Sequence, residues 1–261
     1  MKKLILVAGL AACFASANAI SIYNTGFETP TFAAGGLLGS GTTGNQDGQD
    51  AWSLTTTSYT IVTSPSGGVT AAGGSQMLRC AYSNVAATGR WAWKEVPAAA
   101  AGLKVITASV DMFVPTATTR NGEAGIQLYS TGEGVCQFSL NTSTNNVTLA
   151  GFSSNAGSTG GSGVITGLKG AWHNWKVILD FNAGTFTGLL DNVALGTFAT
   201  GSLTSTNFSD LDLYLGNTST ATGTQNIYFD NYSVTGVVPE PATFVALGLG
   251  LAAVARRRRS K

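Results

Sequence analysis

The chain has 261 residues, of which only 10% are charged and 34 are glycine. Soluble domains usually carry about 25% charged residues; with Lys, Glu and Arg so scarce, few exposed helix positions are well filled, and the composition favours strands and turns. The net charge of +1 gathers at the termini: residues 20–238 hold 7 basic and 12 acidic residues, a net −5, and such a body has no electrostatic footprint for nucleic acid.

The N-terminus opens on Lys2 and Lys3, runs through an apolar stretch over 4–14, and ends in Ala17-Asn18-Ala19. A basic start, a short apolar core and an A-x-A site make a secretory signal peptide over 1–19, cut by signal peptidase after Ala19. The next segment, 20–236, reads as one domain. Short β-branched, aromatic or alternating runs recur at 58–63, 76–82, 105–114, 124–129, 135–140, 146–152, 172–181, 185–190, 211–215 and 226–234. Clusters of Gly, Ser, Thr and Asn separate them, the pattern of an all-β sandwich or barrel. The single helix candidate lies over 97–102, and 157–163 reads as a mobile low-complexity loop.

Candidate chemistry is sparse. Cys13 leaves with the signal peptide; Cys80 and Cys136 remain on predicted strands, either as a disulfide in an oxidising compartment or as two buried apolar thiols. Asp47 and Asp50 sit in a turn-rich loop without EF-hand spacing. His173 is the only histidine, and without a nucleophile motif beside it a strand-end role suits it better than a catalytic one. Asp210 and Asp212 are the nearest approach to a glycosidase carboxylate pair, with nothing acidic following at a suitable spacing. Glu123 and Glu133 flank the predicted 124–129 strand. No phosphate loop or dinucleotide fingerprint is present, so the expectation is a non-enzyme. Trp91 and Trp93, two apart on a strand, share one face and make a candidate platform for stacking on sugar rings, with core packing as the alternative.

The C-terminus is the most specific part. Pro239-Glu240-Pro241 precedes an apolar run over 244–255 and the cluster Arg256, Arg257, Arg258 and Arg259. A helix over 242–255 would reach only about 21 Å, short against a ~30 Å hydrocarbon core but able to insert with local thinning. The arginines would stay cytoplasmic. This order of elements over 237–261 resembles the PEP-CTERM sorting signal of Gram-negative bacteria. The resemblance implies an exosortase as processing partner, an intermediate anchored in the inner membrane by a short transmembrane helix, and a final place at the cell surface or outside, where extracellular polysaccharide is a further expected partner.

The body carries looser resemblances. Asn24-Thr25-Gly26-Phe27-Glu28, with Trp52 closing a Gly-rich loop, is similar to the first strand of jelly-roll carbohydrate-binding modules. The stretch from Ile227 through Tyr228, Phe229, Asp230, Asn231, Tyr232 and Ser233 to Val234 is similar to their last. The segment 172–180, with its hairpin reaching Asp191-Asn192, is similar to the concanavalin A-like sandwich. Together they imply a two-sheet antiparallel jelly roll. They also imply a structural calcium on Glu28 and Asp230, since oxygen ligands on neighbouring first and last strands suit that ion. The alternative is that Glu28 caps a turn and Asp230 holds a loop backbone. The functional expectation is a non-catalytic structural or adhesive surface protein, with a carbohydrate-binding module as the second reading and a divergent glycosidase or lyase as the third.

Overall fold

The computed structural model describes residues 18–39, 48–55, 58–82, 89–118, 122–217 and 225–238. One compact unit is Ser21–Gly236, and a second comprises Met1–Ile20 and Val237–Lys261. The signal peptide up to residue 17, Asp47, the Pro239-Glu240-Pro241 motif, the apolar run and Arg256 to Arg259 lie outside the described residues. Among the described residues no helix is long and apolar enough to cross a membrane.

The body is an all-β sandwich of jelly-roll type. Its strands are β1 (Asn18–Thr25), β2 (Ser53–Leu54), β3 (Tyr59–Thr63), β4 (Gln76–Tyr82), β5 (Arg90–Trp93), β6 (Val105–Phe113), β7 (Gly122–Ser130), β8 (Glu133–Asn141), β9 (Asn146–Gly151), β10 (Gly160–Val164), β11 (Trp172–Asp180), β12 (Thr185–Leu190), β13 (Val193–Ala199), β14 (Phe208–Asn217) and β15 (Gln225–Val238). One sheet runs β13-β12-β11-β6-β15-β4-β3, with β1 also on β15; the other runs β10-β9-β8-β7-β14-β5-β2. The expected helix over 97–102 shrinks to a single turn, α1 (Pro97–Ala100).

Turn chemistry sets the hairpin expected after 172–180 and extends it by a further strand. Asp180 Oδ1 accepts from the N–H groups of Asn182 and Ala183, and Gly184 takes φ +63°, so β11 folds back onto β12. Asp191 and Asn192 both lie at positive φ, 51° and 67°, as a two-residue hairpin turn requires, and carry β12 into β13. The expected loop over 157–163 is a correction: Gly160–Val164 is a strand, paired antiparallel to β9 with Gly160 opposite Ala150 and Val164 opposite Asn146.

Alternation fills the space between the sheets. Ile106, Ala108, Val110 and Met112 of β6 are buried, as are Leu211, Leu213 and Leu215 of β14. Trp175 of β11 meets Phe138 of β8 across the interior, their ring centroids 4.5 Å apart. At one end Trp52 packs edge-on against Tyr232 at 5.0 Å and Tyr23 at 6.3 Å.

The disulfide alternative fails. Cys80 lies on β4 opposite Tyr59 and Ile227, while Cys136 lies on β8 in the other sheet, opposite Leu128 and Gly151. Both are free and buried. Burial pushes the Cys80 thiol up to about 12 and raises that of Cys136 as well, so neither is a thiolate at neutral pH. We expect a thiol-reactive chromophore to titrate neither cysteine in the native mature protein and both after denaturation. Rapid native labelling would contradict this placement.

Candidate functional site

The outward residues of the β5–β14–β7–β8 sheet converge on a cleft. Trp91 and Trp93 of β5 lie on the same side, opposite the buried Ala92. Their neighbour β14 turns Asp210, Asp212 and Tyr214 the same way, with Tyr214 opposite Trp91. Next comes β7, placing Tyr129 opposite Asp210 and Gln127 opposite Asp212. Thr55, Trp91, Trp93, Tyr129, Asp210 and Asp212 line a cleft of about 280 Å³.

A hydrogen-bonded track crosses this face. Trp91 Nε1 donates to Gln127 Oε1 at 2.8 Å, and the Tyr129 hydroxyl donates to the same oxygen at 3.0 Å. Gln127 Nε2 donates to Gln137 Oε1 at 2.8 Å; Gln137 Nε2 donates in turn to Glu123 Oε2 at 2.6 Å and to Ser139 Oγ at 2.8 Å. The indole of Trp91 also lies 5.5 Å from the Tyr214 ring at 33°. The track holds its side chains in one geometry, so ordering them costs little when a ligand arrives.

Two carboxyl groups form the acidic part of the cleft. Asp210 and Asp212 are 8% and 7% exposed and stand two apart on the same face of β14, near enough to shift each other's titration. Burial raises both carboxyls, and the neighbouring Asp210 raises Asp212 further. Asp212 Oδ1 has no partner in the protein, an arrangement that costs stability unless a ligand or solvent meets it. In the sequence this pair is only an incomplete glycosidase motif. Its i, i+2 spacing was visible, but not that β5, far away in sequence, would bring two tryptophans beside it. Gln127 and Gln137 carried no signal, because amides on strands form no motif.

The other candidates fall elsewhere. Glu123 ends the track on β7, whereas Glu133 opens β8, where its Oε1 accepts from Thr204 N–H, Thr204 Oγ1 and Ser205 N–H; the two are separate. His173 Nδ1 lies 2.7 Å from Asp191 Oδ2, and Asn174 N–H donates to Asp191 Oδ1, so His173 helps hold the β11–β12 end. Trp172 Nε1 donates to the Thr70 carbonyl at 2.7 Å, and Trp175 is core. Asp50 accepts from the Tyr23 hydroxyl at 2.5 Å and pairs with Lys94 at 3.3 Å.

Glu28 and Asp230 meet the same loop. Glu28 Oε1 accepts from Ser75 and Gln76 N–H, and Oε2 from Ser75 Oγ. Asp230 Oδ2 accepts from Gly73 N–H and Oδ1 from Asn231 N–H. Burial pushes the Asp230 carboxyl up to about 6, with the nearby Asp111 adding to the rise. A point one carbon off Gly26 lies 3.6 Å from Asp230 Oδ1 and 3.7 Å from Glu28 Cγ. The donor set is oxygen-only, as calcium requires. Among the described residues no group of three or more His, Cys, Asp or Glu converges, so carbonyls or water would have to complete a shell.

Fold and face thus define a jelly-roll β-sandwich with an aromatic, acidic cleft on one sheet. Residues 237–259 match the PEP-CTERM protein-sorting motif, which marks chains that are exported and processed in the membrane by an exosortase before surface display. No curated protein matches the sequence. Among solved structures, an endo-β-1,4-glucuronan lyase from the fungus Trichoderma reesei superposes with a TM-score of 0.52 at 10% identity, over 84% of this chain and 96% of its own. A carbohydrate esterase from the Shiga toxin-encoding bacteriophage phi24B gives 0.51 at 13%, over 84% and 99%. A sialidase gives 0.47 at 9% over 69% of this chain, which spans only 17% of that protein. At these identities the likeness is one of fold.

Proposed function

We propose that this chain is a non-catalytic surface or matrix protein that holds extracellular polysaccharide on its β5–β14–β7–β8 face. In this reading it is cut after Ala19 on export and near Val238 or Pro239 by the exosortase. The observation that carries the binding reading is the cleft in which Trp91 and Trp93 stand beside Tyr129, Asp210 and Asp212. Aromatic faces stack on the apolar faces of sugar rings, while carboxyls and amides take the hydroxyls. The two solved structures above, a lyase and an esterase by name, support the fold's use with carbohydrate.

Two measurements test this reading. Intact mass of protein from native membranes and medium should begin at Ile20 and end near Val238 or Pro239. A mature mass that keeps Arg256 to Lys261 would remove the cleavage. Glycan binding followed by tryptophan fluorescence should fall at least tenfold in Trp91→Ala/Trp93→Ala with the fold intact by circular dichroism; equal binding by the variant would move the site elsewhere.

A structural calcium at Glu28 and Asp230 belongs to the same proposal. It would brace the 72–75 loop and offset the buried charge of Asp230. The expected result is a higher melting temperature in millimolar calcium than in EDTA at pH 7.5, lost in Glu28→Gln/Asp230→Asn. Identical melting in both buffers would leave the N–H donors as the whole account of these carboxylates.

A further inference from the structure

The face that we read as a sugar site has a charge pattern that selects among glycans. Its outward charged groups are Asp210, Asp212 and Glu123, and Glu95 lies near enough to raise both aspartates. No described cation faces the cleft. Arg90, though on β5, is 6% exposed and alternates to the inner side with Ala92. Lys94 turns to Asp50 at 3.3 Å and lies 4.8 Å over the Tyr23 ring. Lys169 donates to the carbonyls of Thr118 and Thr142, Lys176 to Asn192 and Lys104 to Thr206. Arg79 stands on β4 in the other sheet.

What the face offers is therefore two aromatic surfaces, amide groups and carboxyl oxygens, one of which, Asp212 Oδ1, has no partner in the protein. Such oxygens take hydroxyl donors. A uronate carboxylate brings acceptors only, and among Asp210, Asp212, Glu123 and Glu95 it adds a further acid, which the ionised members of that group repel more strongly in a partly dry cleft than in water. The track also has length. From β5 through β14 and β7 to β8 it crosses three strand spacings, about 14 Å at ~4.8 Å each, which fits several linked sugar rings better than one chain end.

We propose that this face, taken as the glycan site above, binds the interior of an uncharged linear polysaccharide and rejects polyuronates. The discrimination comes from the acidic cleft and the absence of a facing cation among the described residues, so this chain would differ in ligand charge from the glucuronan lyase whose fold it shares.

The test is a binding panel on the wild-type body at low salt. The probes are β-glucan, mannan and xylan oligosaccharides against oligogalacturonates and oligoglucuronates of the same length. We expect at least one neutral series to bind through Trp91 and Trp93, with every uronate at least tenfold weaker. Asp210→Asn/Asp212→Asn should narrow that gap by strengthening uronates relative to neutral chains, and retained melting temperature shows that the variant is folded. Uronates binding as tightly as neutral chains, still dependent on the tryptophans, would overturn the charge selection and leave the sugar-binding reading standing. No tryptophan-dependent binding to either class would remove both.

Discussion

Replacing Trp175 with alanine is expected to lower the unfolding free energy by about 3–5 kcal/mol, the usual cost of deleting a large buried aromatic. The indole is 1% exposed and bridges the sheets by contact with Phe138, so the loss would open a cavity that neither sheet can collapse to fill. A second substitution separates packing from polarity. Trp175 Nε1 is buried without a hydrogen-bond acceptor, and an orphan donor of this kind costs about 1–3 kcal/mol. Trp175→Phe removes that donor while keeping an aromatic ring against Phe138. It should therefore cost far less than alanine, within about 1–1.5 kcal/mol of wild type by the usual tolerance of conservative core exchange. Urea unfolding of the three proteins decides the matter. If phenylalanine proved as damaging as alanine, the indole nitrogen would have to be satisfied and the packing account would need revision.

Acidification from pH 8 to pH 5.5 should stabilise the body. Burial holds the Asp230 carboxyl at about 6 against an ordinary value near 3.9. The folded state thus binds this proton more tightly than the unfolded chain. Stability from this group is full below the unfolded value and is lost as pH rises through the folded one; acidification to pH 5.5 reaches only just below the folded value, so its share of the gain is on the order of 1 kcal/mol. Asp210 and Asp212 are raised by burial too and act with the same sign. Glu133 acts oppositely: the Thr204 hydroxyl and the Ser205 and Thr204 N–H groups lower its carboxyl, so its stabilisation fades only on acidification below the ordinary carboxylate range. Melting curves in EDTA at several pH values should rise toward pH 5.5, and Asp230→Asn should flatten part of the slope. A melting temperature that climbs steadily toward pH 8 would contradict the burial of these acids.

Much of the sandwich was legible because its strands are built from β-branched and aromatic residues with a period of two. The segments at 105–114, 172–181 and 185–190 show this. The strand Gly160–Val164 was not legible. Its residues are glycine and serine but for Val164, all are exposed, and a strand without buried side chains leaves no alternation to read. It forms because β9 offers a partner edge; at Gly160 an added carbon would fall 2.4 Å from the Ala150 side chain, so local propensity is overridden by a neighbour. In the site, the shared face of Trp91 and Trp93 followed from their spacing. The company they keep did not, since β5 and β14 lie more than a hundred residues apart in sequence and only the sheet order makes them adjacent. The cysteines show the same limit: each strand was recognised, but which sheet took it was not written locally.

Those unpaired thiols bear on how long the protein lasts once displayed. A body with no covalent cross-link among its described residues holds together, once displayed, through non-covalent contacts alone, beyond the reach of cytoplasmic refolding machinery. An opening that parts the two sheets exposes Cys80 and Cys136, and in an oxidising medium an opened chain can be trapped by a mispaired bond before it closes. Working lifetime is then a rate rather than a melting point, set by how often the two sheets part. Substitutions that tighten contacts formed late in folding would lengthen it by slowing that parting.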